Sequence, residues 1–111
     1  MEERRKEPRA TISFPVACDF LPHRTYFYTV CKDLSSGGIK IISGDFIPHG
    51  DFLKINLNLI DKAIDLKAKV MWCNKERHCD RYYAGLMFTE VTEHDKINIS
   101  QFITSLNNTN H

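Results

Sequence analysis

Two rhythms of apolar residues run along the chain. The stretch FLKINLNLI (52–60) alternates cleanly, with Leu53, Ile55, Leu57 and Leu59 on one side and Lys54, Asn56 and Asn58 on the other. IDLKAKVMW (64–72) repeats the rhythm and places Ile64, Leu66, Ala68, Val70 and Trp72 together. A period of two is the mark of a half-buried strand. TISFPVACDF (11–20) alternates more loosely, and Pro15 points to an edge or a bulge. TYFYTVCKD (25–33) is dense in β-branched and aromatic residues, IKIIS (39–43) is a short strand, and YYAGLMFTEV (82–91) is a sixth. Turn signals separate them: Pro22-His23-Arg24, SSGG, the Gly44–Pro48–Gly50 loop, Asp61-Lys62 and the polar CNKERHCDR. The rhythm then lengthens. Ile99, Phe102, Ile103 and Leu106 fall at helical spacing behind Thr92, a capping residue, and Asp95 in the first turn. Six antiparallel strands on short connections and one helix, over about 92–107, predict a mainly β fold. The architecture expected is a six-stranded antiparallel β-barrel with a C-terminal α-helix.

Length and charge narrow this further. The chain has 111 residues, enough for one domain. Residues 1–9 stand apart as a flexible arginine-rich arm, charged and without apolar periodicity, ahead of a barrel domain spanning 10–111. Pro8 disfavours the helical region for Glu7, so Arg5 and Arg9 do not share a helix face. The net charge is +1, which offers no bulk attraction for DNA, RNA or a membrane, so any anion site must be local. Tyr26, Phe27 and Tyr28 are consecutive and cannot all lie on one sheet face as a base-stacking platform. No apolar run approaches the roughly 20 residues of a membrane span, and no secretion signal is visible. A cytoplasmic protein, or one module of a longer chain, is expected. Cys18 and Cys31 sit in apolar runs as small hydrophobes. Cys73, His78 and Cys79 lack a paired CxxC, and no metal site is expected. No nucleophile–base grouping stands out, so the chain does not read as an enzyme.

The chemistry concentrates in two stretches. DLSSGG (33–38) joins two strands. As a plain turn, Asp33 and Ser35 would bond their own backbone. As a binding element, the Asp33 carboxylate accepts hydrogen bonds while the hydroxyls of Ser35 and Ser36 donate and accept. Gly37 and Gly38 permit positive φ and close backbone approach. A carboxylate beside a hydroxyl suits a flat edge carrying adjacent N–H donors, such as the Watson–Crick edge of guanine. In RRKEPR (4–9), Arg4, Arg5 and Arg9 supply guanidinium forks that pair with phosphate or with guanine O6 and N7, or stack on a base.

At these residues the sequence resembles the PilZ domain family. RKEPR (5–9) is similar to its RxxxR motif, extended by Arg4, and DLSSGG is similar to its [D/N]xSxxG motif. KVMW (69–72) and YAGLMF (83–88) resemble later family strands, so the resemblance covers nearly the whole chain. It implies a split-barrel fold and a receptor for the bacterial second messenger cyclic di-GMP, with no other cofactor. The implied ligand contacts are Arg4, Arg5 and Arg9 on phosphate and guanine, Asp33 and Ser35 on a guanine edge, and Gly37 and Gly38 at the turn beside the base. Trp72 flanks the site, as a base-contacting aromatic does in some members. The family often binds the ligand as an intercalated dimer. The implied switch is an arm that folds over the barrel mouth on binding and creates a surface for a protein partner, with motility, polysaccharide synthesis and biofilm formation as family outputs. Glu7 and Pro8 make this arm stiffer and less positive than its arginines alone suggest. The alternative is a degenerate module that docks a protein and binds no nucleotide.

Overall fold

The computed structural model describes residues 9–10, 14–21, 25–60 and 62–108. The expected turn at 22–24, most of the arm and the end of the tail lie outside these residues. Seven strands and one helix follow in order: β1 (Arg9–Ala10), β2 (Phe14–Phe20), β3 (Thr25–Ser35), β4 (Gly38–Ser43), β5 (Phe52–Asn58), β6 (Ala63–Lys75), β7 (Tyr82–Phe88) and α1 (Glu93–Asn108).

Six of the strands close a barrel. Around it they run β3-β2-β5-β6-β7-β4, all antiparallel, and β4 pairs back onto β3. The short β1 adds to the far end of β3, with Arg9 opposite Ser35 and Ala10 opposite Leu34. Pro15 sits where β2 has β3 on one side and no β5 partner, because the β2–β5 ladder starts at Ala17. A residue without an N–H is tolerated at that edge. Strand β7 ends at Phe88, three residues short of the expected end. There the Lys67 carbonyl takes the Thr89 N–H at 2.8 Å and its hydroxyl at 3.2 Å.

The alternating residues fill the interior. Leu53, Ile55, Leu57, Leu66, Ala68 and Val70 are all buried, as the period-two reading requires. Each large aliphatic side chain taken from water contributes about 1.5–3 kcal/mol. Helix α1 packs against β1 and β3 and sends Ile99 and Ile103 into the same core, with Phe102 and Leu106 half-buried beside them. Thr92 caps it: its hydroxyl accepts the Asp95 N–H at 3.0 Å. No helix among the described residues is long and apolar enough to cross a membrane.

Candidate functional site

Two β-bulges build the site. In β3, Cys31 pairs with Ile41 and Asp33 with Lys40, so Lys32 is an extra residue on its strand. Cys31 and Leu34 are both buried, and Lys32 and Asp33 both turn outward. Strict alternation would have sent Asp33 into the core behind Cys31; the bulge re-aims it. In β6, Val70 pairs with Leu86 and Trp72 with Gly85, leaving Met71 extra. Val70 is buried, whereas Met71 and Trp72 are 40% and 41% exposed. This corrects the alternation that grouped Trp72 with Val70 on the core side. An inserted residue flips every side chain after it, and Cys73 returns to the core margin.

Strands β4 and β7 run between the bulges. Lys40 faces Asp33 across one ladder and Gly85 across the other, and Gly85 faces Trp72. Asp33, Lys40, Gly85 and Trp72 therefore form one row across four strands. The neighbouring row Leu34, Ile39, Leu86 and Val70 is buried, which places the first row on the outer face. It floors a shallow depression of about 600 Å³, completed by Ser35, Gly37, Gly38 and two methionines, Met71 and Met87. That size lies within the roughly 300–1,000 Å³ of small-molecule sites. The bulges turn its side chains outward, so the row lies on the outer face of the barrel wall.

Glycine is required here for space. A Cβ on Gly38 would overlap the Leu86 carbonyl oxygen, so β4 and β7 approach closely only with glycine at that point. A Cβ on Gly85 would overlap the Trp72 indole around Nε1, so the ring lies over the bare backbone of β7. Of the two freedoms that the double glycine permits, Gly38 uses close approach; positive φ is found elsewhere among the described residues, at Gly50 (φ 93°), Ile60 (φ 82°) and His78 (φ 65°).

The polar groups are arranged for partners beyond the turn. The Ser35 hydroxyl accepts the Gly37 N–H at 3.2 Å, as a plain turn would have it. It keeps its own proton and a second lone pair. The Lys40 ammonium lies 5.6 Å from the centroid of the Tyr83 ring. The backbone of Arg9 lies directly opposite Ser35, which brings the second motif arginine alongside the motif serine at the level of the chain. Arg4 and Arg5 lie outside the described residues. The depression thus unites Asp33, Ser35, Gly37, Gly38 and Trp72 from the sequence reading. It adds Lys40, Met71, Gly85 and Met87, which that reading did not single out. Gly85 had a signal, a glycine inside an apolar strand, which marks close approach. Lys40 had none, since a lysine alternating with isoleucines reads as an ordinary solvated position.

A family model described as PilZ domain matches residues 3–105. The chain belongs to the PilZ domain family. A search of the curated proteins finds no match. Solved structures share the fold of this PilZ domain. The Bacillus subtilis inhibitor of motility MotI/DgrA aligns with a TM-score of 0.82 at 17% identity, covering 99% of this chain and 54% of that one. The PilZ domain of Escherichia coli YcgR, solved with c-di-GMP, aligns with a TM-score of 0.76 at 18% identity, covering 96% and 94%. K. pneumonia MrkH, also solved with c-di-GMP, aligns with a TM-score of 0.75 at 16% identity, covering 97% and 54%. The PilZ domain described here therefore spans about half the length of MotI/DgrA and of MrkH.

Proposed function

We propose that this PilZ domain is a receptor for cyclic di-GMP, held on the barrel wall between the two bulges. The observation that carries the reading is the row Asp33–Lys40–Gly85–Trp72, which puts an acceptor, a cation and an aromatic face in one depression. Asp33 and Ser35 accept from the N1–H and N2–H₂ of one guanine. Trp72, seated on Gly85, offers its ring to the base. Arg4, Arg5 and Arg9 of the RxxxR stretch take phosphate and guanine from the arm side, and the Arg9–Ser35 backbone pairing supports that approach. The binding of c-di-GMP by YcgR and MrkH supports the choice of nucleotide.

The output is a switched protein interaction. Ligand orders the arm, and the ordered arm is a new surface. Such a switch works only through a difference in affinity between the two arm states. A path into the rest of the fold also exists. Val70, just before the Met71 bulge, accepts from Gly50 N–H and donates to the Asp51 carbonyl, both at 2.8 Å. Cys73, just after it, accepts the Ile47 N–H at 3.4 Å. The loop after β4 is thus stitched to β6 on both sides of the bulge that carries Trp72.

The chain has one tryptophan, so its emission reports the site directly. Titration with cyclic di-GMP is expected to change Trp72 emission saturably, and Arg9→Ala and Asp33→Ala to weaken the response by about 1–3 kcal/mol each. No change in emission, with binding absent by a second method, would favour the alternative of a degenerate module that docks a protein alone.

A further inference from the structure

The ladder that closes the barrel is shorter than the two strands it joins. The β3–β4 ladder stops at Cys31–Ile41, while β4 continues to pair with β7 as far as Ser43–Tyr82. From Tyr26 to Val30, β3 has β2 on one edge and no ladder partner on the other among the described residues. The Thr29 hydroxyl, donating to the Ile42 carbonyl, bridges the start of this gap. An unpaired strand edge is a row of N–H and C=O groups ready to pair with an extended chain.

The gap opens into a cleft of about 740 Å³. Phe27 and Phe20 form one wall and Phe46, Ile47 and Pro48 of the β4–β5 loop form the other. Phe46 is 57% exposed yet held, edge-on to Tyr82 with centroids 5.9 Å apart. The loop itself is pinned by the Ser43 hydroxyl, which donates to the Asp45 carbonyl at 2.6 Å and accepts its N–H at 3.2 Å. Tyr28 stands 83% exposed on the rim.

Charge selects the occupant. Asp45 and Asp51 line the cleft, and neither carboxylate has a hydrogen bond or ion pair among the described residues. Arg81, the cation among the described lining residues, is already bound to Glu76 through Nε and through Nη2 at 3.4 Å. The cleft therefore presents apolar walls, a free backbone edge and two unneutralised negative charges. We propose that it docks an extended segment of a partner protein, one that pairs with the Tyr26–Val30 edge, sends an apolar side chain between Phe27 and Phe46, and carries lysine or arginine for Asp45 and Asp51. The cleft takes the Ile42–Ser43 end of β4, whereas the Asp33 depression takes the Gly38–Lys40 end, and it does not depend on the nucleotide reading.

A phage-displayed random peptide library, with inserts of about twelve residues to cover a strand of ordinary length, tests this on the full chain. The expected winners alternate apolar and polar residues and carry lysine or arginine. As synthetic labelled peptides they slow amide exchange at residues 26–30. Their affinity falls about fivefold or more on the shape-conserving pair Asp45→Asn/Asp51→Asn, falls further on Asp45→Lys/Asp51→Lys, and is unchanged by Asp33→Ala. Circular dichroism checks that each variant stays folded. The proposal is overturned if no peptide is selected, if the winners are acidic or purely apolar, or if they bind the lysine pair as well as wild type. Concentration-dependent dimerisation that protects the same amides without peptide also overturns it and assigns the edge to a second copy of the chain.

Discussion

A carboxylate earns a binding role only where it faces outward with room beside it, and Asp33 does so because Lys32 is one residue too many for its ladder. Lys40 is the residue whose role the sequence least revealed. It stands between Asp33 and Gly85 and is the cation among the described residues that line the depression. Lys40→Met is expected to weaken cyclic di-GMP binding at low salt and to leave less of a difference at high salt, because screening removes the same attraction in the wild type. Calorimetry at two ionic strengths checks this; equal loss at both would contradict a charge role. The buried thiols make a separate prediction. Burial pushes Cys18 up to about 12, with Cys31 nearby adding to the shift, and pushes Cys31 up to about 12 as well. Unfolded thiols lose their protons near 8.5. Above that, the unfolded chain holds fewer protons than the native one, so stability falls as pH rises towards 12. Below about 8.5 the contribution is fully present. Denaturant midpoints between about pH 7.5 and pH 10 are expected to fall less for the Cys18→Ala/Cys31→Ala chain than for wild type.

At the scale of elements, the period-two runs made β5 and most of β6 legible, since burial of alternate side chains is what a barrel wall demands. The helix was legible from Thr92 and the spacing of Ile99, Phe102, Ile103 and Leu106. The bulges were not. Alternation counts residues and has no means of showing that one of them is unpaired, so by alternation Trp72 falls on the core face; the family resemblance alone put it beside the site, and the Val70–Leu86 and Trp72–Gly85 pairs supply the shift that turns it outward. Nor did the DLSSGG stretch show that Gly38 serves the approach of β4 to β7 and not a left-handed turn. The strand pair β6–β7 is expected to depend on Gly85. Gly85→Ala should cost about 1–3 kcal/mol of stability by overpacking and should move Trp72 off its seat, seen as a shift in its emission. An unchanged spectrum and denaturation midpoint would show that the indole does not need the bare backbone.

For the whole molecule, the barrel works as a frame that holds two exposed features at opposite ends of β4: the Asp33–Trp72 depression and the open β3 edge. The loop that walls the cleft is hydrogen-bonded to Val70 and Cys73, on either side of the Trp72 bulge. Ligand at the depression is therefore expected to alter amide exchange at Ile47 and Gly50 as well as along the arm, measured with and without cyclic di-GMP. Exchange confined to the arm would separate the two features. The reading of the Asp33–Trp72 depression turns on whether the nucleotide binds. Isothermal titration of the full chain with cyclic di-GMP tests that most directly. Saturable heat at micromolar or tighter affinity, falling by about 1–3 kcal/mol in binding free energy for Asp33→Ala, is the predicted result. Heat absent for wild type, or unchanged by Asp33→Ala, would contradict a nucleotide site between the bulges.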